Sequence, residues 1–372
     1  SVRGARAADP RLVLLAVDDK TLAGLNRTDE GDIPLTSYAR MLDRLRQDRP
    51  AAIAFDTVFG EEARNAPGAA ALGEAMRATG GRLVLACQNY EVTLVHEKSQ
   101  VKYPELLLEP EDLKAAGVRD GYRGLPADVD DHNRRADYLV ELFRPASASA
   151  EIPAKDQVFV QTFAFTVADL ARGGALKKNV EELPTASHRA QGEQSKRTTW
   201  IDYVGPDTFP RVSAIDVLDG SVRPGQFAGK VVVIGVTARG NPDMYRTPLD
   251  GGGSMSDPEV QANAVDTMLR GSRLRDVSRL IDMLAILVLA CVPAVASLSA
   301  SRAVRVAATV GSAAVFLAVA QLAFHQGRII AVVLPLAALV ASAAAVETLL
   351  ASRMVRRRGV RSRSGSVGSQ SP

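Results

Sequence analysis

Four aspartates of this sequence follow apolar, strand-like runs. Asp18 and Asp19 come after "RLVLLAV", Asp56 comes after "AAIAF", and Asp243 follows "KVVVIGV" and its exit loop. If the runs form a parallel sheet, their carboxyl ends meet at one edge, where ligands commonly bind. Carboxylates gathered there could move protons or hold a cation. The simpler interpretation of each aspartate is that it caps a turn or a helix start.

The candidate contact residues lie in loops or helix starts near predicted strand ends. We expect a ligand, if one binds at this edge, to contact the following residues: Asp18, Asp19, Asp56, Thr237, Asp243, Thr247 and Asn263.

The stretch "GKVVVIGVTARG" tests whether the chain binds a nucleotide. A Walker loop requires Gly-Lys-Ser/Thr after four residues, and a dinucleotide fingerprint requires three glycines directly before a helix. Here Gly235 is followed by "VTARG" and then by a long loop. We interpret the stretch as a buried strand with a tight exit.

The other catalytic motifs are also missing from the sequence. It has no Gly-x-Ser-x-Gly elbow, no kinase motif set and no evident Cys–His pair. The two cysteines, Cys87 and Cys291, are far apart, and the four histidines show no paired spacing. We therefore predict a protein that is not an enzyme, with no metal and no cofactor.

The charge of the chain is concentrated at its carboxyl terminus. The formal net charge is +3, but residues 353–372 carry six arginines and no acid, so the rest of the chain is mildly acidic. Because the positive charge is confined to the tail and the rest of the chain is mildly acidic, the chain does not present a large basic surface for nucleic acid. We predict no nucleic-acid partner.

Three closely spaced apolar runs begin near residue 280. They span residues 280–300, 303–324 and 328–351, and each has about the 20 residues that a helix needs to cross a bilayer. Arginines accumulate on the cytoplasmic side of membrane proteins. Arg302 and Arg305, at the junction of the first two runs, and the basic tail 352–372, which is predicted to be disordered, are therefore expected in the cytoplasm.

This topology places residues 1–279 outside the cell membrane, and an inverted topology is the alternative. An exported domain requires a signal peptide or a leading helix, which residues 1–10 do not supply. We expect such a segment to have been removed or left out before Ser1.

Residues 1–279 alternate between strand-like and helix-like patterns. Helices are predicted over 36–49 with Thr36 as N-cap, over 68–79, within 156–172, and over 257–270 with Asp257 as cap. Residues 97–135 are polar and turn-rich. Arg134 and Arg135 are interpreted as a solvated charge pair, and the alternative is that they bind an acidic ligand. The predicted fold class is α/β: a central, mostly parallel sheet flanked by helices, plus a C-terminal three-helix transmembrane bundle.

The order of these segments resembles the second type of the CHASE sensor domain, an extracytoplasmic input module of bacterial receptors. The resemblance rests on "AVDDKTL", "YARMLDRLRQDRPAAIAFDTVF", "IDYVGPDTFPRVSAIDVLDG", "FAGKVVVIGVTARGNPDMYRTPLD" and "VQANAVDTMLRG". It implies a homodimer and an output module such as a cyclase or a kinase, which this chain does not contain.

We therefore expect the sensory half of a bacterial transmembrane receptor. An unknown small-molecule or protein signal would act on the outer domain, and three helices in the lipid bilayer would pass it to a cytoplasmic output module or partner. The alternative is a membrane scaffold or effector subunit whose outer domain binds a protein partner. An enzyme on the outer face that uses the carboxylates is a third hypothesis.

Overall fold

The computed structural model describes residues 7–27, 33–59, 61–88, 91–95, 98–102, 110–128, 130–142, 158–183, 186, 197–238, 244–249, 254–298 and 301–365. The chain divides into two compact units, Ser1–Arg273 and Leu274–Pro372. The predicted division lies at residue 279.

The strands and helices of the described residues are numbered in chain order. The strands are β1 (Leu12–Val17), β2 (Ala52–Phe55), β3 (Leu83–Cys87), β4 (Glu91–Val95), β5 (Lys98–Lys102), β6 (Arg119–Tyr122), β7 (Arg135–Leu142), β8 (Val158–Gln161), β9 (Arg197–Trp200), β10 (Arg211–Ser213), β11 (Val231–Val236), β12 (Met244–Tyr245), β13 (Met255–Ser256), β14 (Arg275–Asp276) and β15 (Arg328–Ile329). The α-helices are α1 (Asp19–Gly24), α2 (Leu35–Gln47), α3 (Ala69–Arg77), α4 (Pro110–Ala115), α5 (Phe163–Ala171), α6 (Ala175–Lys178), α7 (Ala214–Leu218), α8 (Asp257–Arg270), α9 (Arg279–Ala296), α10 (Arg302–His325) and α11 (Val333–Gly365).

The predicted strand runs form one parallel sheet in the first unit. Within the described residues its order is β10-β1-β11-β2-β3-β6, and every neighbouring pair is parallel. The strands β1, β2, β3 and the first five residues of β11 are buried on both faces, which explains their continuous apolar sequences.

Side chains of successive strand residues point to opposite faces of the sheet and build two cores. On one face, Leu15, Phe55 and Ile234 pack in a cluster with residues of α2, α3 and α7. On the other face, Leu14 and Val233 pack in a cluster with residues of α5 and α8. Helices therefore cover both faces, and the predicted fold class is confirmed.

The structure moves two predicted helix caps by one or two residues. The N-cap of α2 is Pro34 rather than Thr36, and the N-cap of α8 is Ser256. Asp257 is the first residue of α8, where a negative charge is favoured by the helix dipole. Gly271 follows the last residue of α8 with a φ of 77°, a conformation that glycine adopts readily.

Two predictions for the middle of the first unit are wrong. The helix expected within 156–172 begins only at Phe163, because Val158–Gln161 pair with β7 in a second, antiparallel sheet of order β8-β7-β9. The polar region 97–135 contributes β6, the edge strand of the main sheet. Only one residue of β6, Gly121, is buried, so the strand has no apolar pattern that would reveal it.

The second unit contains the three predicted apolar segments as α9, α10 and α11. Over their apolar windows the mean hydropathy is 2.2, 1.9 and 2.0, and all three are long and apolar enough to cross a membrane. Leu289, Phe316 and Leu339 pack between them. Helix α11 continues to Gly365 and so includes the first part of the segment predicted as a disordered tail.

Candidate functional site at the carboxyl edge of the sheet

The carboxyl edge of the parallel sheet gathers polar residues from several strands. Asp18 follows β1, Thr237 follows the neighbouring β11, Asp56 follows β2, and Arg123 follows the outer strand β6. These residues share an edge because all the strands run in the same direction.

Arg123 lies at the centre of a buried group of polar side chains, here called the Arg123 cluster: Asp56, Arg123, Asp257 and Gln261. Its Nε lies 3.5 Å from Oδ1 of Asp56, and its Nη2 contacts Oδ2 of Asp257. Asp56 and Arg123 follow strands that are two places apart in the sheet, roughly 10 Å, which a long arginine side chain can span.

Burial makes the Arg123 cluster electrostatically strong. The exposed fraction of the side chain is 0% for Asp56, 1% for Asp257 and 11% for Arg123. Gln261 Nε2 donates to the Arg123 carbonyl at 2.6 Å, and the Arg123 N–H donates to the Cys87 carbonyl at 2.9 Å. The cluster therefore joins the ends of β2, β3 and β6 to the first turns of α8.

The glycine of the "VVVIGV" strand brings α8 against this edge. A Cβ built on Gly235 would lie 2.2 Å from Cγ of Pro258, the second residue of α8, and 3.5 Å from Cβ of Asp56. Gly235 thus permits close packing of a helix on a strand, and this agrees with the interpretation of the stretch as a buried strand. Its exit at residues 239–240 lies outside the described residues.

Asp18 performs the capping role that the simpler interpretation assigns to the aspartates. Its Oδ1 accepts hydrogen bonds from the Thr21 N–H at 2.9 Å, the Thr21 hydroxyl at 2.8 Å and the Ser213 hydroxyl at 2.7 Å. Burial alone raises the pKa of Asp18, but the hydrogen bonds from Ser213 and Thr21 outweigh burial and leave the pKa lowered. Asp19 lies in the first turn of α1.

The remaining predicted contacts are dispersed. Thr237 follows β11, and Asp56 follows the neighbouring strand β2. The Thr237 N–H donates to the Val17 carbonyl at 3.0 Å. Thr247 is 1% exposed and lies after β12, and Asn263 is 0% exposed in the middle of α8. Asp243 lies outside the described residues. Of the predicted set, the structure brings Asp56 into the Arg123 cluster.

Asn263 belongs to a row of polar side chains along α8, here called the α8 ladder: Glu259, Asn263 and Thr267. These residues are four apart and lie on one helix face. Their oxygens accept from consecutive parts of the segment 202–207: Glu259 from the Asp207 N–H at 2.6 Å, Asn263 from Val204 at 2.9 Å and Thr267 from Asp202 at 3.0 Å.

The α8 ladder provides acceptors for the buried N–H groups of Asp202 and Val204, which would be costly to leave unpaired, and for the part-buried N–H of Asp207. Asn263 also donates from Nδ2 to the Glu259 carbonyl at 2.8 Å, so its role in the described structure is to fix the position of α8. Burial raises the pKa of Glu259, although the Asp207 N–H and Arg211 oppose this change.

The far end of α8 is bonded to the start of the described chain. Asp266 is 0% exposed, and its Oδ1 accepts from the Asp9 N–H at 2.8 Å and from Nε of Arg270 at 3.0 Å. Arg270 Nη2 also donates to the Ala7 carbonyl at 3.0 Å. Polar contacts therefore hold α8 along its whole length.

The interpretation of Arg134 and Arg135 as a solvated pair is wrong for Arg135. Arg135 is 2% exposed, and its Nη2 lies 2.5 Å from Oδ1 of Asp128. Its guanidinium also lies 5.9 Å from the centroid of the Trp200 ring. Arg134 pairs with Asp128 and Asp130, each at 2.7 Å. Both arginines hold their own loop together.

Three residues of the Arg123 cluster were absent from the predicted contacts. The sequence predicts a cap at Asp257, and it places Gln261 inside the predicted helix 257–270 and Arg123 in the turn-rich region 97–135. The signal that could have identified Arg123 is its place directly after "RDGY", but that strand is recognisable only once it is paired with β3. Among the described residues, no group of three or more His, Cys, Asp or Glu side chains could hold a metal ion.

The architecture defines a class of protein: a parallel α/β domain whose last helix is followed in sequence by three helices able to cross a membrane. The CHASE2 domain model matches residues 1–295, so the chain belongs to the CHASE2 family. CHASE2 is an extracellular sensory domain of receptors. No curated protein and no solved structure matched the chain.

Proposed function

We propose that this chain is the sensing part of a bacterial transmembrane receptor. Residues 1–279 lie outside the cell membrane and detect a small-molecule or protein signal at the carboxyl edge of the sheet. Helices α9 to α11 cross the bilayer and carry the signal to a cytoplasmic output module. The chain acts as a homodimer and is not itself an enzyme.

The Arg123 cluster is the observation that carries this proposal. It lies at the edge where parallel sheets bind ligands, and it joins that edge to α8. A ligand shifts a conformational equilibrium only if it binds two states unequally. A signal that competes for Arg123, Asp56 or Asp257 changes how firmly the start of α8 is held, and so satisfies that condition.

A short segment of the sequence connects α8 to the first membrane-capable helix, α9. Helix α8 ends at Arg270 and α9 begins at Arg279, so only residues 271–278 separate them. A change in the position of α8 therefore acts on a short connection. The Arg123 cluster contains no serine, cysteine or histidine, which supports a sensing role over a nucleophilic one.

The membrane topology is tested with reporters fused after Pro372. We expect green fluorescent protein to fluoresce there and alkaline phosphatase to be inactive, because the six arginines of the tail favour the cytoplasmic side. An active phosphatase at this position would contradict the proposed orientation.

The coupling is tested by hydrogen exchange on the full chain in nanodiscs. Asp257→Asn removes one charge from the Arg123 cluster and is expected to speed exchange in residues 271–278 and in the first turn of α9. Asp18→Ala is the matched control, because Asp18 lies on the same edge but bonds to α1 and Ser213. Equal exchange in wild type and Asp257→Asn would refute the coupling.

A further inference from the structure

We propose that the basic extension of α11 binds the headgroups of anionic lipids. The basic extension consists of Arg353, Arg356, Arg357, Arg358, Arg361 and Arg363. This interaction concerns the carboxyl-terminal end of the chain and does not depend on which signal the outer domain detects.

The first argument is that α11 is continuous from the apolar segment into the arginines. The helix runs from Val333 to Gly365, and its membrane-capable part ends at Arg353. Because the backbone remains helical, the arginines follow the apolar part at a rise of about 1.5 Å per residue. They are therefore presented next to the membrane surface.

The second argument is that a second helix contributes positive charge at the same end. Arg305, near the start of α10, lies 2.8 Å from Oε1 of Glu347 on α11. This contact places the start of α10 beside the last turns of the apolar part of α11. Arg302 is 80% exposed and lies 3.8 Å from Glu347. One acidic side chain thus meets two arginines, and no acid follows Glu347 in the sequence.

The third argument is the distance over which charges act. At physiological ionic strength the Debye length is about 8 Å. Along the helix, Arg358 lies roughly 7.5 Å beyond Arg353, whereas Arg361 and Arg363 lie roughly 12 Å and 15 Å beyond it. Arg356, Arg357 and Arg358 are therefore close enough to attract anionic headgroups, and the last two arginines contribute less.

The basic extension directly follows a membrane-capable helix, and this position favours a bilayer over a soluble polyanion as its binding partner. A basic cluster that follows a membrane helix directly is attracted to the negative surface of a leaflet, by about five-fold for each arginine. The occupant is therefore an anionic phospholipid of the surrounding membrane rather than a nucleic acid or an acidic protein.

The test uses the full chain reconstituted in phosphatidylcholine vesicles with trace spin-labelled lipids. Electron paramagnetic resonance gives the association of phosphatidylglycerol with the protein relative to phosphatidylcholine. Each labelled headgroup meets about one arginine at a time, so we expect a ratio of about five for the wild type. In 1 M salt, where the Debye length falls to about 3 Å, we expect a ratio near one. A wild-type ratio near one at low salt would overturn the proposal and would favour a soluble polyanion as the partner of the arginines.

Three variants separate charge from structure. The triple variant R356Q/R357Q/R358Q is expected to lower the ratio toward one, whereas R361Q/R363Q keeps most of the selectivity. The variant R356K/R357K/R358K retains the charge and is expected to retain the ratio. Equal immobilised fractions of spin-labelled phosphatidylcholine show that each variant is inserted. An unchanged ratio in the triple glutamine variant would refute the proposal.

Discussion

Removing the positive charge of the Arg123 cluster is expected to destabilise the first unit strongly. In Arg123→Met, the side chains of Asp56 and Asp257, which are 0% and 1% exposed, lose their contact with the Arg123 guanidinium. Breaking a buried ion pair by removing one partner costs about 3–5 kcal/mol. This is a large part of the roughly 5–15 kcal/mol by which domains are stable.

The assay is urea unfolding of the full chain in detergent, followed by tryptophan fluorescence. Trp200 is the one tryptophan of the sequence and lies in β9, so the signal reports on the first unit. We expect the free energy of unfolding of Arg123→Met to fall by about 3–5 kcal/mol, with an unchanged dependence on urea concentration. Arg46→Met removes an exposed pair with Asp43 and is the control, with an expected loss below about 1 kcal/mol.

A second set of variants tests whether charge is the cause. Asp56→Asn and Asp257→Asn, added together to Arg123→Met, replace the two carboxylates by neutral groups of similar size. Because the two carboxylates that contacted Arg123 are then neutral, most of the lost stability should return. The reasoning would be refuted if Arg123→Met lost less than about 1 kcal/mol, or if the added amides returned none of the loss.

Three further variants test the other contacts of the site. Asn263→Leu leaves the buried Val204 N–H without its acceptor and should lower the free energy of unfolding by about 2 kcal/mol in the same assay; a loss near zero would show that the α8 ladder does not hold the helix. Asp18→Ala should cost about 1–2 kcal/mol through the lost cap of α1 while leaving exchange in residues 271–278 unchanged, and a change there would place Asp18 in the coupling path. Because the pKa of Glu259 is raised in the folded state, its ionisation destabilises the fold as pH rises above about 4.5, so the stability of Glu259→Gln relative to wild type should increase from pH 4 to pH 7. A relative stability that is constant with pH would contradict the raised pKa.

Much of the fold was predictable because it follows from local patterns. The apolar runs at β1, β2, β3 and β11 and the helical periodicity of Tyr38, Met41, Leu42 and Leu45 appear in the structure as buried strands and a buried helix face. The three apolar runs near the carboxyl terminus appear as helices. The capping role of Asp18 could also be predicted from the sequence, because capping is a local interaction.

The candidate site was predicted only in part. Asp56 was identified because it follows an apolar strand. Arg123 was missed because its strand carries one buried residue, and Asp257 was assigned a local role. The hydrogen bonds that involve Asn263 join α8 to a segment 59 residues away, so its place within a predicted helix gives no indication of them.

The sequence by itself determined the buried strands β1, β2, β3 and β11, the helix α2 and the three segments apolar enough for a membrane, because burial and periodicity act over a few neighbouring residues. Only the tertiary structure decided that β6 completes the sheet and that Arg123 meets Asp257, 134 residues further along the chain. The physical reason is that strand order and the pairing of buried charges are set by packing between distant segments. A charged residue carries no local sign of the partner that will neutralise it.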